Sequence, residues 1–215
     1  MVFTIHTTRP NAIEFVQGGM EKTRDARARA LEAAERLFRT QGYTATGLTQ
    51  ILDESGAPKG SFYFHFPEGK QQLAREVLEL YGNRVRAGLK ALAARHDADP
   101  AGYVRAVAKF MATEMEASGW QLGCAAQNFA NELAPHDPDF TDAVAKTFAG
   151  WIAVITDAIR SGYPSRAVAE KRATALLAAL EGAKTLARSA RSAAPFDAVI
   201  DMVLPELRAE KTGRP

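Results

Sequence analysis

Residues 42–70 read GYTATGLTQILDESGAPKGSFYFHFPEGK and carry the grammar of two short helices joined by a tight turn. Thr46 is placed to cap the first, its hydroxyl taking a free backbone N–H of the opening turn. Leu48, Ile51 and Leu52 recur at helical spacing and give that helix one apolar face. Gly56, after Ser55, suits the position where a left-handed residue ends a helix. Pro58 stands where a second helix starts, since its missing N–H costs nothing there. That second helix is expected over about 58–64. Lys59, Ser61, Tyr63 and His65 can reach nucleic acid from it. Phe62 and Phe66, four apart, pin its other side to a core. Two short helices about a Gly-containing turn form a helix-turn-helix, whose second helix fits the DNA major groove.

Lys59, in the first turn of the second helix, is the foremost candidate for a base or phosphate contact. Pro58 and Gly60 allow close approach and suit thymine methyl groups by shape. Lys70, at a helix N-terminus, joins a charge to free N–H groups and forms a natural phosphate site. Thr46 and Thr49 stand at the start of the first helix, within reach of phosphate. Core packing is the plain alternative for Tyr63, weakened because Phe62 and Phe66 already occupy the core side.

In this register the stretch resembles the DNA-binding domain of the tetracycline-repressor (TetR) family. Upstream, ALEAAERLFRTQGYTATGL is similar to that family's first helix and the approach to its second. GAPKGSFYFHF and Lys70 are similar to its recognition helix and the start of its fourth helix, and the resemblance covers about 23–80. Gly47 is a departure: Ser or Thr is usual there, so one phosphate-contacting hydroxyl is missing. GAPKGS and the PEGK loop resemble a branch containing repressors of drug-export genes. The resemblance implies that Tyr63 and His65 contact phosphate. It implies an all-α fold, with an N-terminal three-helix helix-turn-helix head joined by a long helix to a C-terminal ligand-binding and dimerisation bundle. Its implied partners are a double-stranded DNA operator, a small-molecule effector and a second copy of the chain.

Bulk numbers fit that expectation. Of 215 residues, 47% are hydrophobic and 24% charged, as in a soluble globular protein. Net charge is only +2, but residues 22–90 carry 12 Lys/Arg against 8 Asp/Glu, a surplus of +4 that leaves the remainder at −2. Positive charge thus collects around the helix-turn-helix, as a DNA footprint requires. One cysteine excludes an internal disulfide framework and suits a reducing, cytoplasmic setting. No apolar run is long enough to span a membrane.

Residues 1–22 lack helical periodicity and the order of a signal peptide, and are expected to be a disordered arm or a product of a start codon set too far upstream. A minor-groove arm is the alternative, with Arg9 its only basic residue. The head is expected over 23–69, its first helix capped by Thr23 and ended by Gly42. Arg24, Arg27 and Arg29 lie near the start of that helix, as phosphate contacts or as solvated charge. A fourth helix, from about Glu68 to Ala94, leads into an effector-binding and dimerisation body over 70–208, with a loose tail at 209–215. Pro205 should fray or kink the last helix. The last two long helices are rich in Ala and carry Gly182. In the resembling family such a pair meets its copy from a second subunit as a four-helix bundle.

No cofactor, metal or catalysis is expected: the four histidines lack partners at ligand spacing, and neither a phosphate loop nor a nucleophile elbow is present. Phe110, Met111, Met115, Trp120, Phe129, Phe148 and Trp151 supply more large apolar groups than one helix seam needs. The resemblance puts an effector cavity among them, with Gln127 or Asn128 orienting a mostly apolar molecule. Core filling is the alternative for each. Cys124, at a helix start, is either a small buried hydrophobe or a low-pKa thiol. GCAAQNFANELA resembles a group of electrophile-sensing repressors, which makes Cys124 a candidate ligand-site residue. The expected function is a DNA-binding regulator, a repressor released from a palindromic operator by a small apolar effector. The alternatives are an electrophile or redox sensor acting through Cys124, and a helical adaptor that never binds DNA.

Overall fold

The computed structural model describes the backbone of residues 12–211, and side chains over 26–205 and at 207. The chain forms α1 (Ala12–Gln41), α2 (Leu48–Ser55), α3 (Lys59–His65), α4 (Lys70–Arg95), α5 (Pro100–Ala117), α6 (Ala125–Glu132), α7 (Pro138–Ile159), α8 (Arg166–Ala190) and α9 (Ala194–Lys211), with a 3-10 turn at Arg160–Gly162. No strand occurs among the described residues.

Three boundaries differ from expectation. Helix α1 begins at Ala12, so Thr23 lies inside it rather than capping it. Gly18 and Gly19 cost about 1 kcal/mol each against Ala in a helix, which weakens it without ending it. The rest of the expected arm, 1–11, lies outside the described residues. Helix α9 runs through Pro205 to Lys211, past the expected loose start at 209. Pro205 lacks the N–H that would reach the Asp201 carbonyl, but both residues are exposed and water can take that acceptor. Lastly, Gly47 and not Thr46 is the N-cap of α2, with no side-chain cap bond. Gly56 does end α2 in the left-handed conformation, φ 60°. Asp99, Asp137 and Ser165 cap α5, α7 and α8 with their side chains.

Helices α1 to α3 form the head. Ala30, Leu31, Ala34, Leu37 and Phe38 line the inner stripe of α1 and share a core with Ile51, Phe62 and Phe66. Arg29 Nε donates to the Ser55 carbonyl at 2.8 Å, which closes the C-terminus of α2. Arg27 pairs with Glu76. Arg29 thus ties the head together, and Arg27 ties it to α4.

At 26 residues and ~1.5 Å each, α4 is about 39 Å long. One end packs on α1, and its length packs on α7. The two helices meet closely at Gly82, where a Cβ would sit 2.9 Å from Thr147 Cγ2. Trp151 Nε1 donates to the Gly82 carbonyl at 2.9 Å, and its ring stands edge-on to Tyr81 and Phe148. Beyond α7 the order of packing is α8, α9, then α5 against α9. The apolar core is continuous from head to body: Phe38 of α1 meets Phe129 of α6 edge-on, which in turn meets Phe140 of α7.

Candidate nucleic-acid interface

Helix α3 is seven residues long and divides cleanly. Phe62 is sealed in the head's core, with Phe66 just beyond at 5.0 Å between ring centres. Burying two such rings is worth about 1.5–3 kcal/mol each and fixes how the helix is rotated. Pro58, Lys59, Gly60 and Tyr63 are thereby left exposed, with Ser61 at the margin. Thr49 is exposed on α2. The space beside Gly60 is open. These residues form one face that can be laid against another surface.

The other expected contacts are placed differently. Thr46 is fully buried, and its hydroxyl donates to the Gly42 carbonyl at 2.6 Å. It cannot meet phosphate as the chain stands, because the α1–α2 turn takes its one donor. Lys70 Nζ donates inward, to the Tyr43 carbonyl at 3.0 Å and the Thr46 carbonyl at 2.8 Å, and lies 3.9 Å from the Tyr43 ring centre. Burial lowers its pKa, against the opposing pull of Glu132. Lys70 is thus a staple between α4 and the turn before α2. His65 is half-buried with Nε2 enclosed and unpartnered, so that nitrogen does not face outward.

The α1–α2 turn is held from its other side by the body. Glu132, at the end of α6, accepts from Tyr43 N–H at 3.1 Å and Thr44 N–H at 2.6 Å, one bond per carboxylate oxygen. Gly42 has φ 85°, and a Cβ there would run into Glu132 Oε1. Asn128 Nδ2 donates to the Phe38 carbonyl at 2.7 Å. Gly123 N–H and Arg188 Nη2 both donate to the Arg39 carbonyl, at 2.9 and 3.0 Å, and Arg39 Nε returns a bond to the Gly123 carbonyl. A helix ends with unpaired carbonyls that must find partners. In α1 those partners come from α6, the loop before it and α8.

The expected effector residues do not gather round one void. Met115, Cys124 and Trp151 are sealed in the core, with Phe129 among them. Phe110 is 57% exposed, because α5 buries the arc of Tyr103, Val104, Val107 and Met115 and Phe110 falls past its edge. Asn128 is engaged as above, and Met111, Gln127 and Phe148 are half-buried. Trp120, φ 67°, follows α5 and lines a groove of about 490 Å³ with Arg36, Gln41 and Gln50. An open groove of about 1390 Å³ runs along α1, α4 and the end of α5, and none of the expected effector residues lines it.

Cys124 is 1% exposed. Burial, then nearby Glu181, raise its pKa to about 11, outweighing Lys184, the Gln127 N–H and the Tyr81 hydroxyl. Burial thus opposes the helix start that favoured a reactive thiol, and the electrophile-sensor alternative is not favoured. Beside it, Glu181 and Lys184 form a buried pair at 3.5 Å. No group of three or more potential metal ligands occurs among the described residues, and no helix there is long and apolar enough to cross a membrane.

Sequence reasoning misses Phe64, which is 77% exposed on α3. Its signal was present: two positions from a buried Phe62, helical spacing throws it to the opposite side. The capping roles of Asn128, Glu132 and Arg188 leave no such signal, since their partners are backbone groups 88–149 residues away.

Known proteins share this arrangement. Residues 30–77 match the family described as "Bacterial regulatory proteins, tetR family", and residues 100–202 match "Transcriptional regulator LmrA/YxaF-like, C-terminal domain". The chain is 33% identical over 172 residues to the HTH-type transcriptional regulator LmrA of Bacillus subtilis, spanning 80% of this chain and 91% of that one. It is 27% identical over 174 residues to the HTH-type transcriptional regulator TtgR of Pseudomonas putida, spanning 75% and 80%. The crystal structure of regulatory protein TetR from Rhodobacter sphaeroides superposes with a TM-score of 0.74 over 83% of this chain and 96% of that one, at 22% identity.

Proposed function

The chain belongs to the TetR family of bacterial regulatory proteins and is a DNA-binding transcriptional regulator; from that premise we propose that it is a repressor, released from a partly palindromic operator by a small, mostly apolar effector. The division of α3 carries the reading, with two Phe rings locked inward and Lys59, Gly60 and Tyr63 left free. Head (23–69) and body (70–208) act as separate functional units on a shared core. Lys59 contacts base or phosphate, Pro58 and Gly60 allow close approach, and Thr49, Ser61 and Tyr63 meet the backbone. Such a regulator works in the cytoplasm, where its operator lies, and catalyses no reaction.

Two copies join through the outward faces of α8 and α9. On α8 that face carries Thr174, Ala175, Ala178, Gly182, Thr185 and Leu186, all exposed, and small side chains let helices approach closely. Leu186 is 62% and Met202 57% exposed, an apolar surface suited to a partner helix. The effector enters the body beside the half-buried Met111 and Phe148, with Gln127 as a polar contact, where side chains must part to admit it. A molecule that draws Asn128 or Glu132 from the α1 terminus would loosen the head and favour a head spacing that does not fit the operator.

The test begins with selection of genomic fragments on the purified protein. Affinity for the enriched site is then followed across salt concentrations and with apolar cations and aromatics added. Enrichment of a partial palindrome with half-sites about 34–36 Å apart is the expected result. Absence of sequence preference at every salt concentration would exclude the repressor reading.

A further inference from the structure

Phe64 is the most exposed large hydrophobic side chain among the described residues. At ~100° per residue it stands about 160° round α3 from the buried Phe62, opposite the core. Gly60 lies four positions before it on the same side, where a Cβ would meet nothing within 4 Å. The centre line of the free face is therefore apolar, with Phe64 standing out beside the open space at Gly60 and with Lys59 and Tyr63 to one side. The seven-residue helix is about 10 Å long, no more than the ~12 Å width of the major groove. Its last turn can thus reach base edges as well as its first.

A Phe ring has no donor or acceptor with which to meet a phosphate. In the major groove the apolar feature on a base edge is the C5-methyl group of thymine, which Phe contacts. We propose that Phe64 is a specificity-determining residue that reads a thymine methyl group in each operator half-site. The inference rests on the reading of α3 as the recognition helix and adds to it a base identity at one position. Water leaves both the ring and the methyl group on contact, and that desolvation favours thymine over cytosine or uracil there.

The test uses the full-length protein and the operator it enriches from genomic DNA. Each thymine of the half-site is replaced symmetrically by uracil, which removes only the methyl group and leaves pairing intact. Wild type should lose roughly fourfold in affinity per methyl at one position. Phe64→Ala, with its thermal melt unchanged, should bind the thymine site more weakly and show no thymine–uracil difference there. Phe64→Leu, which keeps an apolar tip, should retain part of that difference. A wild type indifferent to uracil at every position overturns the proposal, as does a Phe64→Ala protein as sensitive as wild type. Failure to enrich any site would instead remove the DNA-binding reading beneath it, and the proposal with it.

Discussion

Lys59 and Lys70, eleven positions apart, stand in opposite settings, the first exposed and the second bonded inward. Lys59→Ala should weaken operator binding and reduce the salt slope by about 0.9 if a phosphate contact is lost, with thermal stability unchanged. Lys70→Ala should act first on stability. It removes two charged hydrogen bonds to turn carbonyls, a loss of about 1–2 kcal/mol after allowing for partial exposure. A fall of a few degrees in Tm should follow. Cys124 gives a second prediction. N-ethylmaleimide should leave it unmodified in the native protein at neutral pH and label it in urea, as mass spectrometry would show; native labelling would restore the sensor. Its raised pKa also sets a sign. The folded state holds the thiol proton more tightly, so this stability is fully present below pH 9.0 and lost as pH rises through about 11.

Among elements, α6 carries the second coupling to the head. Glu132→Ala strips acceptors from two consecutive N–H groups, and Asn128→Ala strips a donor from the Phe38 carbonyl. Each variant should cost about 1–3 kcal/mol where the group left behind is shielded from water. Operator affinity should fall with it, as a binding titration on the enriched site would measure. The two effects should be less than additive, since both residues hold one terminus. Short-range chemistry made much of the head legible: Gly56 needs φ above zero, Pro58 needs no N–H, and Phe62 and Phe66 need burial. The inward bonds of Lys70 and Thr46 were not legible, because a residue type announces a donor without saying where it points. The carbonyls they serve belong to a turn whose direction is set by α4 and α6. Helix number and order in the body were legible from periodicity. An effector cavity was not legible there, since aromatic richness describes a filled core and a ligand site equally well.

For the whole molecule, assembly is the testable quantity. Leu186→Glu places a charge on the outward face of α8 and should give monomers in sedimentation, with operator binding weakened severely because two half-sites are no longer held together. The monomer fold should persist, since Leu186 is largely exposed and leaves no cavity. The terminus of α1 has a broader consequence. Its carbonyls and the N–H groups after it are completed by Gly123, Asn128, Glu132 and Arg188, all remote in sequence. A head cut out at residue 69 would therefore leave those groups bare, although its apolar pattern looks self-sufficient. Chimeras that graft this head onto a relative's body should fail unless the four donors and acceptors travel with it, and should recover when they are restored. What can be exchanged between such regulators is then a head together with its distant fastenings.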